Sequence, residues 1–355
     1  MSKLAPLQKV LTNDLRVFQV PFFKGLQGFP KEGKTKNDPT GWETPYRVET
    51  LEIFDTWAIC GIVGGRRPST YSESPKLWNR YFKKVDRKGV FFAFDLPLEE
   101  DFRGFMGSSL SVPGFLDLTV TDPYKQQAFR FLPELDFQLN LSEQSANTGA
   151  VNHVILDAEK ETLLALNTDG MGMIRAVKER KEIKDKKVLI IGAGGSAISI
   201  GYEFVKAGND LFIVNRTAAR AEDLIAHLAG AKTAGQRLDW GDFDRLPDFL
   251  EHADIVISTV PEGCPLGGQH VKIMKEGVLL AETTYGLKSA LKDMAMRIGL
   301  DYVDGRAMLF GQFVEAAVRV YPILGISEET HRKAIKAVRS TLREKARMPH
   351  SEERG

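Results

Sequence analysis

Apolar and polar positions along this chain fall into two series in which strands alternate with helices. In the first, residues 57–63 are an apolar run ending in Gly64-Gly65, and residues 74–84 have helical spacing. Residues 89–95 read as a strand, 98–106 as a helix and 115–121 as a strand, and 125–131 open another helix. The second series starts at Val188-Leu189-Ile190-Ile191 and continues through Leu211-Phe212-Ile213-Val214, Ile255-Val256-Ile257, Val278-Leu279-Leu280 and Asp301-Tyr302-Val303. Such alternation predicts an α/β protein with parallel or mostly parallel sheets covered by helices. A helix over 170–183 joins the series, so two α/β layers with a cleft between them are expected. Helices at 308–320 and 328–345 are expected to return to the first domain. Ahead of these series, residues 15–20 have strand character ended by Pro21, and 30–45 read as an exposed loop. The expected organisation is an extension over 1–50, a substrate domain over 51–169 and 306–347, a dinucleotide domain over 170–305, and a disordered tail over 348–355.

The second series opens with the most specific signal. The strand ending at Ile191 runs into Gly192-Ala193-Gly194-Gly195-Ser196-Ala197, then a helical pattern through Tyr202, Phe204 and Val205, then a second strand. A G-x-G-x-x-G/A turn in this context is the fingerprint of a Rossmann dinucleotide site. Gly192 permits the tight turn, Gly194 lets a pyrophosphate approach the backbone, and Ala197 lets helix and strand pack closely. Free N–H groups at the helix start then face the phosphates. An NAD site wants Asp or Glu after the second strand; this chain has Asn215-Arg216-Thr217-Ala218-Ala219-Arg220. Two guanidiniums and a hydroxyl suit a 2′-phosphate, so the expected cofactor is NADP. The alternative, a solvated Arg216/Arg220 pair, leaves like charges i,i+4 on one helix face.

Composition adds exclusions. With 48 basic and 47 acidic residues among 355, the chain has no bias toward nucleic acid or membrane partners. Two cysteines, Cys60 and Cys264, lie in or beside apolar segments and read as core thiols. Six histidines are scattered without ligand spacing, so no metal is expected. Neither a signal-peptide pattern nor a bilayer-length apolar run occurs, and a cytoplasmic protein is expected.

Four further clusters carry chemistry: Ser72-Glu73-Ser74-Pro75, Thr119-Val120-Thr121-Asp122-Pro123-Tyr124-Lys125, Gly149-Ala150-Val151-Asn152-His153 and Asn167-Thr168-Asp169-Gly170. The first can offer two hydroxyls to one carboxylate, or form an ordinary helix cap with Ser74 at N-cap and Pro75 at N1. The second sits where a strand gives way to a helix, the place at which α/β sheets present functional groups. With the glycine turn, Asn215-Arg216-Thr217-x-x-Arg220, Tyr285 and Met308-Leu309-Phe310-Gly311-Gln312, these segments resemble, in order, the motifs of the shikimate dehydrogenase family over roughly residues 50 to 322.

The resemblance implies a pathway role in aromatic amino acid biosynthesis and assigns Lys125 and Asp169 to catalysis. It assigns Ser72, Ser74, Thr121, Asn152, Tyr285 and Gln312 to the ring hydroxyls and carboxylate of a shikimate-like acid. Gly192, Ala193, Gly194, Gly195, Ser196, Ala197, Asn215, Arg216, Thr217 and Arg220 are assigned to NADP. The chemistry is consistent: oxidising a secondary alcohol requires loss of its O–H proton as hydride leaves, and an amine can accept that proton or stabilise the alkoxide. A salt bridge without chemistry is the bland alternative for Lys125 and Asp169. Expected partners are a small cyclic hydroxy acid and the dinucleotide, in a monomer or homodimer. Departures concentrate around the substrate: Thr119 replaces Asn, His153 replaces Thr, Asp122 replaces an apolar residue, Tyr71 and Trp78 replace His, and Gly286-Leu287 replaces Asn-Pro. The resemblance makes shikimate the first expectation, while these departures point to a changed substrate such as quinate or an amino or deoxy analogue. Outside the enzyme class, the alternative is a ligand-sensing pseudoenzyme; a dehydrogenase of folate or amino-acid substrates leaves the serine pair unexplained.

Overall fold

The computed structural model describes residues 57–97, 101–260, 264–285 and 289–347, with side chains to residue 340. The expected extension over 1–50, with its strand and loop, and the tail over 348–355 lie outside the described residues. The chain divides into two compact units, Met1–Ser142 with Gly149–Leu166 and Ala316–Gly355, and Glu143–Thr148 with Asn167–Glu315.

The first unit is built on six strands: β1 (Ala58–Gly64), β2 (Gly89–Asp95), β3 (Phe115–Val120), β4 (Gln138–Leu141), β5 (His153–Asp157) and β6 (Thr162–Leu166). Their order is β2-β1-β3-β5-β6-β4, with β5 antiparallel to both neighbours and the other pairings parallel. Strands β4 to β6 have no counterpart in the expected series. β4 is largely exposed and β5 wholly buried, so neither has the polar–apolar alternation that marks a half-buried strand.

Helices α1 (Ser74–Lys84), α2 (Phe102–Leu110) and α3 (Lys125–Phe131) follow β1, β2 and β3. Residues 98–100 of the expected helix lie outside the described residues; α2 is capped by the Asp101 carboxylate, which accepts from Arg103 N–H at 3.0 Å, and it runs on past the expected end to Leu110. One sheet face packs Ile59, Val63, Phe92, Phe94, Leu118 and Val120 against Phe102, Phe105 and Met106 of α2. On the other side Trp78 of α1, 1% exposed, stacks on Phe91 of β2 with ring centroids 5.8 Å apart. Trp78 is therefore a core residue. Its neighbour Asn79 holds the edge of β2 by accepting from Phe91 N–H at 2.8 Å.

The second unit contains α4 (Glu143–Thr148), α5 (Asp169–Lys178), β7 (Lys187–Ile191), α6 (Gly195–Lys206), β8 (Asp210–Val214), α7 (Ala218–Leu228) and β9 (Leu238–Gly241). After these come α8 (Leu246–Leu250), β10 (Ile255–Ser258), β11 (Leu279–Glu282), α9 (Ala290–Ile298), β12 (Tyr302–Val303) and α10 (Gly305–Ile323), whose residues from Ala316 onward belong to the first unit. Its sheet, β12-β11-β10-β7-β8-β9, is wholly parallel, the doubly wound order of a Rossmann domain. The chain reverses direction of travel across the sheet at β7, the strand that leads into the glycine turn. Strand β9 lies outside the expected series.

The last helix, α11 (Glu328–Arg347), packs in the first unit, where His331 meets the Tyr81 hydroxyl at 2.9 Å and stacks on Tyr321. Cys60 is buried and Cys264 half-buried. No helix among the described residues is long and apolar enough to cross a membrane.

Candidate functional site

In the first unit the candidate residues gather at the C-terminal ends of β1 and β3. Helix α1 begins one residue earlier than expected: Ser74 is its first residue rather than its cap, with Glu73 at N-cap. The Ser72 Oγ accepts from Ser74 N–H at 3.3 Å, leaving the Ser72 O–H to donate elsewhere. Beyond β3, Thr121 N–H donates to Val63 O at 2.9 Å. A Cβ on Gly64 would sit 2.3 Å from the Thr121 Cγ2, so glycine is what lets Thr121 lie against β1. Burial raises the Tyr71 phenol above its ordinary value, opposed by the Thr121 side chain and by the charges of Lys125 and Arg66, while the charge of Asp122 adds to the rise.

Lys125 is the first residue of α3 and its backbone is fixed from two sides. Next to it the buried Tyr124 ring stacks on Phe102 at 4.7 Å and its hydroxyl donates to Leu96 O at 3.0 Å. The Lys125 carbonyl accepts from Val151 N–H at 3.0 Å, which joins the Thr-x-x-x-Lys and Gly-Ala-Val-Asn segments. Asn152 follows, locked by Asn152 N–H to Leu166 O and Val120 N–H to Asn152 O, both 2.8 Å. Asp122 is exposed and no ion pair reaches it among the described residues.

The second unit presents another constellation around Asp169. Asn167 Oδ1 accepts from Asp169 N–H at 3.3 Å, tying down a free donor at the start of α5. Ser199 of α6 bridges the turn: its hydroxyl donates to Asn167 Oδ1 at 3.1 Å and accepts from Gly170 N–H at 2.9 Å. A Cβ on Gly170 would lie 2.2 Å from the Ser199 carbonyl oxygen, so this close contact between α5 and α6 requires glycine.

The Asp169 carboxylate, 2% exposed, accepts from Gln312 Nε2 at 2.7 Å and from Ser196 Oγ at 3.1 Å. Asp169, Gln312 and the glycine-turn serine thus form one hydrogen-bonded group. Tyr285, half-buried, stands three residues beyond the end of β11.

The glycine turn fits a dinucleotide. Gly192 has φ of 109° and donates to Val214 O at 2.8 Å. A Cβ there would sit 2.4 Å from Thr259 Oγ1, so both dihedral and space call for glycine. Gly194 caps α6 and Gly195 opens it, and nothing lies within 4 Å of a Cβ on either, so the start of this helix leaves room for a phosphate to approach. Ala193 packs on the core and Ala197 is fully buried between helix and sheet. At the end of β8, Asn215 Nδ2 donates to Thr217 O at 2.9 Å and Thr217 caps α7. Arg216 and Arg220 are exposed, with no carboxylate paired to either among the described residues.

Lys125, Ser72, Ser74, Thr121 and Asn152 belong to the first unit, and Asp169, Tyr285, Gln312 and the cofactor residues to the second. His153 is buried against Asp117, its Nδ1 3.0 Å from the carboxylate. Sequence reasoning passed over Asp117 and Ser199. For Asp117 the signal is a lone carboxylate inside the apolar run of β3; for Ser199 there is none.

Residues 65–154 match the family described as shikimate dehydrogenase substrate binding domain, and 175–276 match shikimate / quinate 5-dehydrogenase. The shikimate dehydrogenase (NADP(+)) of Rubrobacter xylanophilus is 32% identical over 266 residues, 73% of this chain and 89% of that protein. A shikimate dehydrogenase solved in complex with NADP+ aligns with a TM-score of 0.62 and 26% identity over 79% of this chain and 94% of the other. A quinate dehydrogenase from Corynebacterium glutamicum, solved in complex with NAD, shares the fold with a TM-score of 0.63 at 24% identity, over 80% of this chain and 99% of that one. With its ordered motifs, its Rossmann sheet and its Asp169 constellation, the chain belongs to the shikimate dehydrogenase family of NAD(P)-dependent oxidoreductases.

Proposed function

We propose that this protein is an NADP-dependent dehydrogenase that interconverts a secondary alcohol and a ketone on a hydroxylated carbocyclic acid. Shikimate and 3-dehydroshikimate are the first candidates, with quinate or an amino or deoxy analogue next. The observation that carries this reading is the buried Asp169 carboxylate, held at once by Gln312 and by Ser196 of the glycine turn. It supports a substrate hydroxyl bound beside a dinucleotide.

Ser72 and Ser74 donate to the carboxylate of the acid, while Thr121, Asn152, Tyr285 and Gln312 take the ring hydroxyls. At Lys125 the Nζ accepts the O–H proton or stabilises the developing alkoxide. Asp169 contacts a substrate hydroxyl and orients it. When bound, the nicotinamide supplies the hydride acceptor or donor. Gly192 through Ala197 hold the pyrophosphate, and Asn215, Arg216, Thr217 and Arg220 take the 2′-phosphate, where no Asp or Glu stands to receive a ribose hydroxyl. We place this activity in the cytoplasm.

The test is incubation with NADP+ and a panel of shikimate, quinate and aminated or deoxygenated analogues, followed by nicotinamide absorbance. Reduction with at least one cyclic acid is expected. Silence across the panel, in protein that binds NADPH, would overturn the reading in favour of a binding role.

A further inference from the structure

The face of the first sheet that looks away from the main core carries a polar cluster with no counterpart in the proposed chemistry. Between Ile59 and Cys60 the β1–β3 register slips by one residue. The slip inverts the alternation of β3, so Phe115 and Leu118, three apart, share one core. Asp117 is thereby turned to the opposite face, in register with Cys60 on β1 and two residues before Thr119.

Across the antiparallel pairing, Thr119 stands opposite His153. The His153 Nδ1 lies 3.0 and 3.2 Å from the two Asp117 oxygens and 3.4 Å from Thr119 Oγ1. Asp117 is fully buried, and among the described residues His153 is the only side chain hydrogen-bonded to its carboxylate.

A carboxylate sealed in a sheet with one partner is tolerable only as an ion pair, in which the imidazole carries both ring protons, Nδ1–H directed at Asp117 and Nε2–H left to donate. The neighbouring Cys60 thiol cannot share the charge; burial, then the charge of Asp117, push its pKa up and keep it neutral. Nor is this a metal site, since no group of three or more His, Cys, Asp or Glu side chains suited to a metal occurs among the described residues.

With Nδ1 committed inward, ring geometry sends Nε2 the other way. Nε2 has no hydrogen-bond partner among the described residues. The His153 side chain keeps 4% of its surface exposed, and Nε2 is not among the fully buried, unpartnered polar atoms of the described residues. Asn152 directly precedes His153, and Thr119 is one rung below Thr121 on the same face.

Resting on the function proposed above, we propose that Asp117 and His153 form a selectivity dyad. Asp117 is a positioning residue that fixes His153, and His153 presents Nε2–H to an acceptor oxygen on the ring of the bound acid. The dyad favours acids whose ring offers a ketone, carboxylate or other acceptor oxygen at that point over those with an apolar group there.

The test uses the full chain saturated with NADP+ and the same panel of acids. Asp117→Asn keeps the side-chain volume and withdraws the charge. Losing an oriented, charge-assisted donor is expected to lower kcat/KM on the best acid about tenfold or more. The loss should fall on KM, with kcat and NADPH affinity nearly unchanged. The double variant Asp117→Asn/His153→Thr leaves no charge buried alone, guards against misfolding of the single variant, and should reorder the panel. Unchanged KM and unchanged ranking in both variants overturn the dyad. If the wild type turns over no acid, the catalytic reading falls and the dyad is judged separately by 1H–15N correlation of the His153 imidazole. Movement of its Nε2 resonance by an acid of the panel sustains the dyad; no movement by any of them overturns it.

Discussion

Replacing Arg216 by alanine tests the choice of cofactor most directly. Arg216 and Arg220 flank the start of α7, both exposed, with no carboxylate paired to either among the described residues. Nothing in the described part of the protein neutralises them, so an anion bound there meets two unspent guanidiniums and the Thr217 hydroxyl. A charge-assisted hydrogen bond contributes about 1.5–3 kcal/mol when protected from water, and an exposed one less. Arg216→Ala is therefore expected to weaken NADPH roughly 5- to 30-fold. NADH, which lacks the phosphate, should change by less than about twofold. Fluorescence titration of both dinucleotides against wild type and variant measures the two ratios, and repeating it at high salt should shrink the NADPH effect as screening grows. Equal losses for both dinucleotides, or no loss for NADPH, would refute the 2′-phosphate assignment. Adding Arg220→Ala should enlarge the NADPH loss without restoring discrimination.

Lys125→Ala is expected to cut turnover by about two to four orders of magnitude while NADPH titrates as in the wild type; unchanged turnover would remove Lys125 from the chemistry. Burial, opposed by Glu328 and assisted by Arg332, holds the His331 imidazole below its ordinary value of 6.5. The unfolded chain then binds more protons at this site, so stability present above pH 6.5 is lost as the pH falls below it. His331→Gln should flatten the fall of melting temperature between pH 7.5 and 5.5, and an unchanged slope would place the acid sensitivity elsewhere. Trp78→Ala removes a side chain packed on Phe91 and should cost about 3–5 kcal/mol in denaturant unfolding.

Much of the cofactor unit was legible because its signals are local. Gly192, Gly194 and Ala197 act within one turn, and buried parallel strands such as β7 and β8 are continuous apolar runs. The substrate-side motifs were legible as segments, yet their supports were not. Ser199 ties down the start of α5 from another helix, and Val151 N–H reaches the Lys125 carbonyl from 26 residues away in sequence. The cap of α1 is one residue away from where the Ser-x-Ser-Pro pattern puts it: Glu73 takes the N-cap without a side-chain bond, and Ser72 accepts from Ser74 N–H.

The residue order determined the α/β class, the dinucleotide turn and the identity of the groups available for chemistry, since each depends on spacing along a strand or one helical turn. Tertiary structure decided which face of the sheet each group occupies. A one-residue slip in strand pairing turned Asp117 away from the core and toward His153, and pairing register is settled by packing between strands distant in sequence, so no local pattern could carry it.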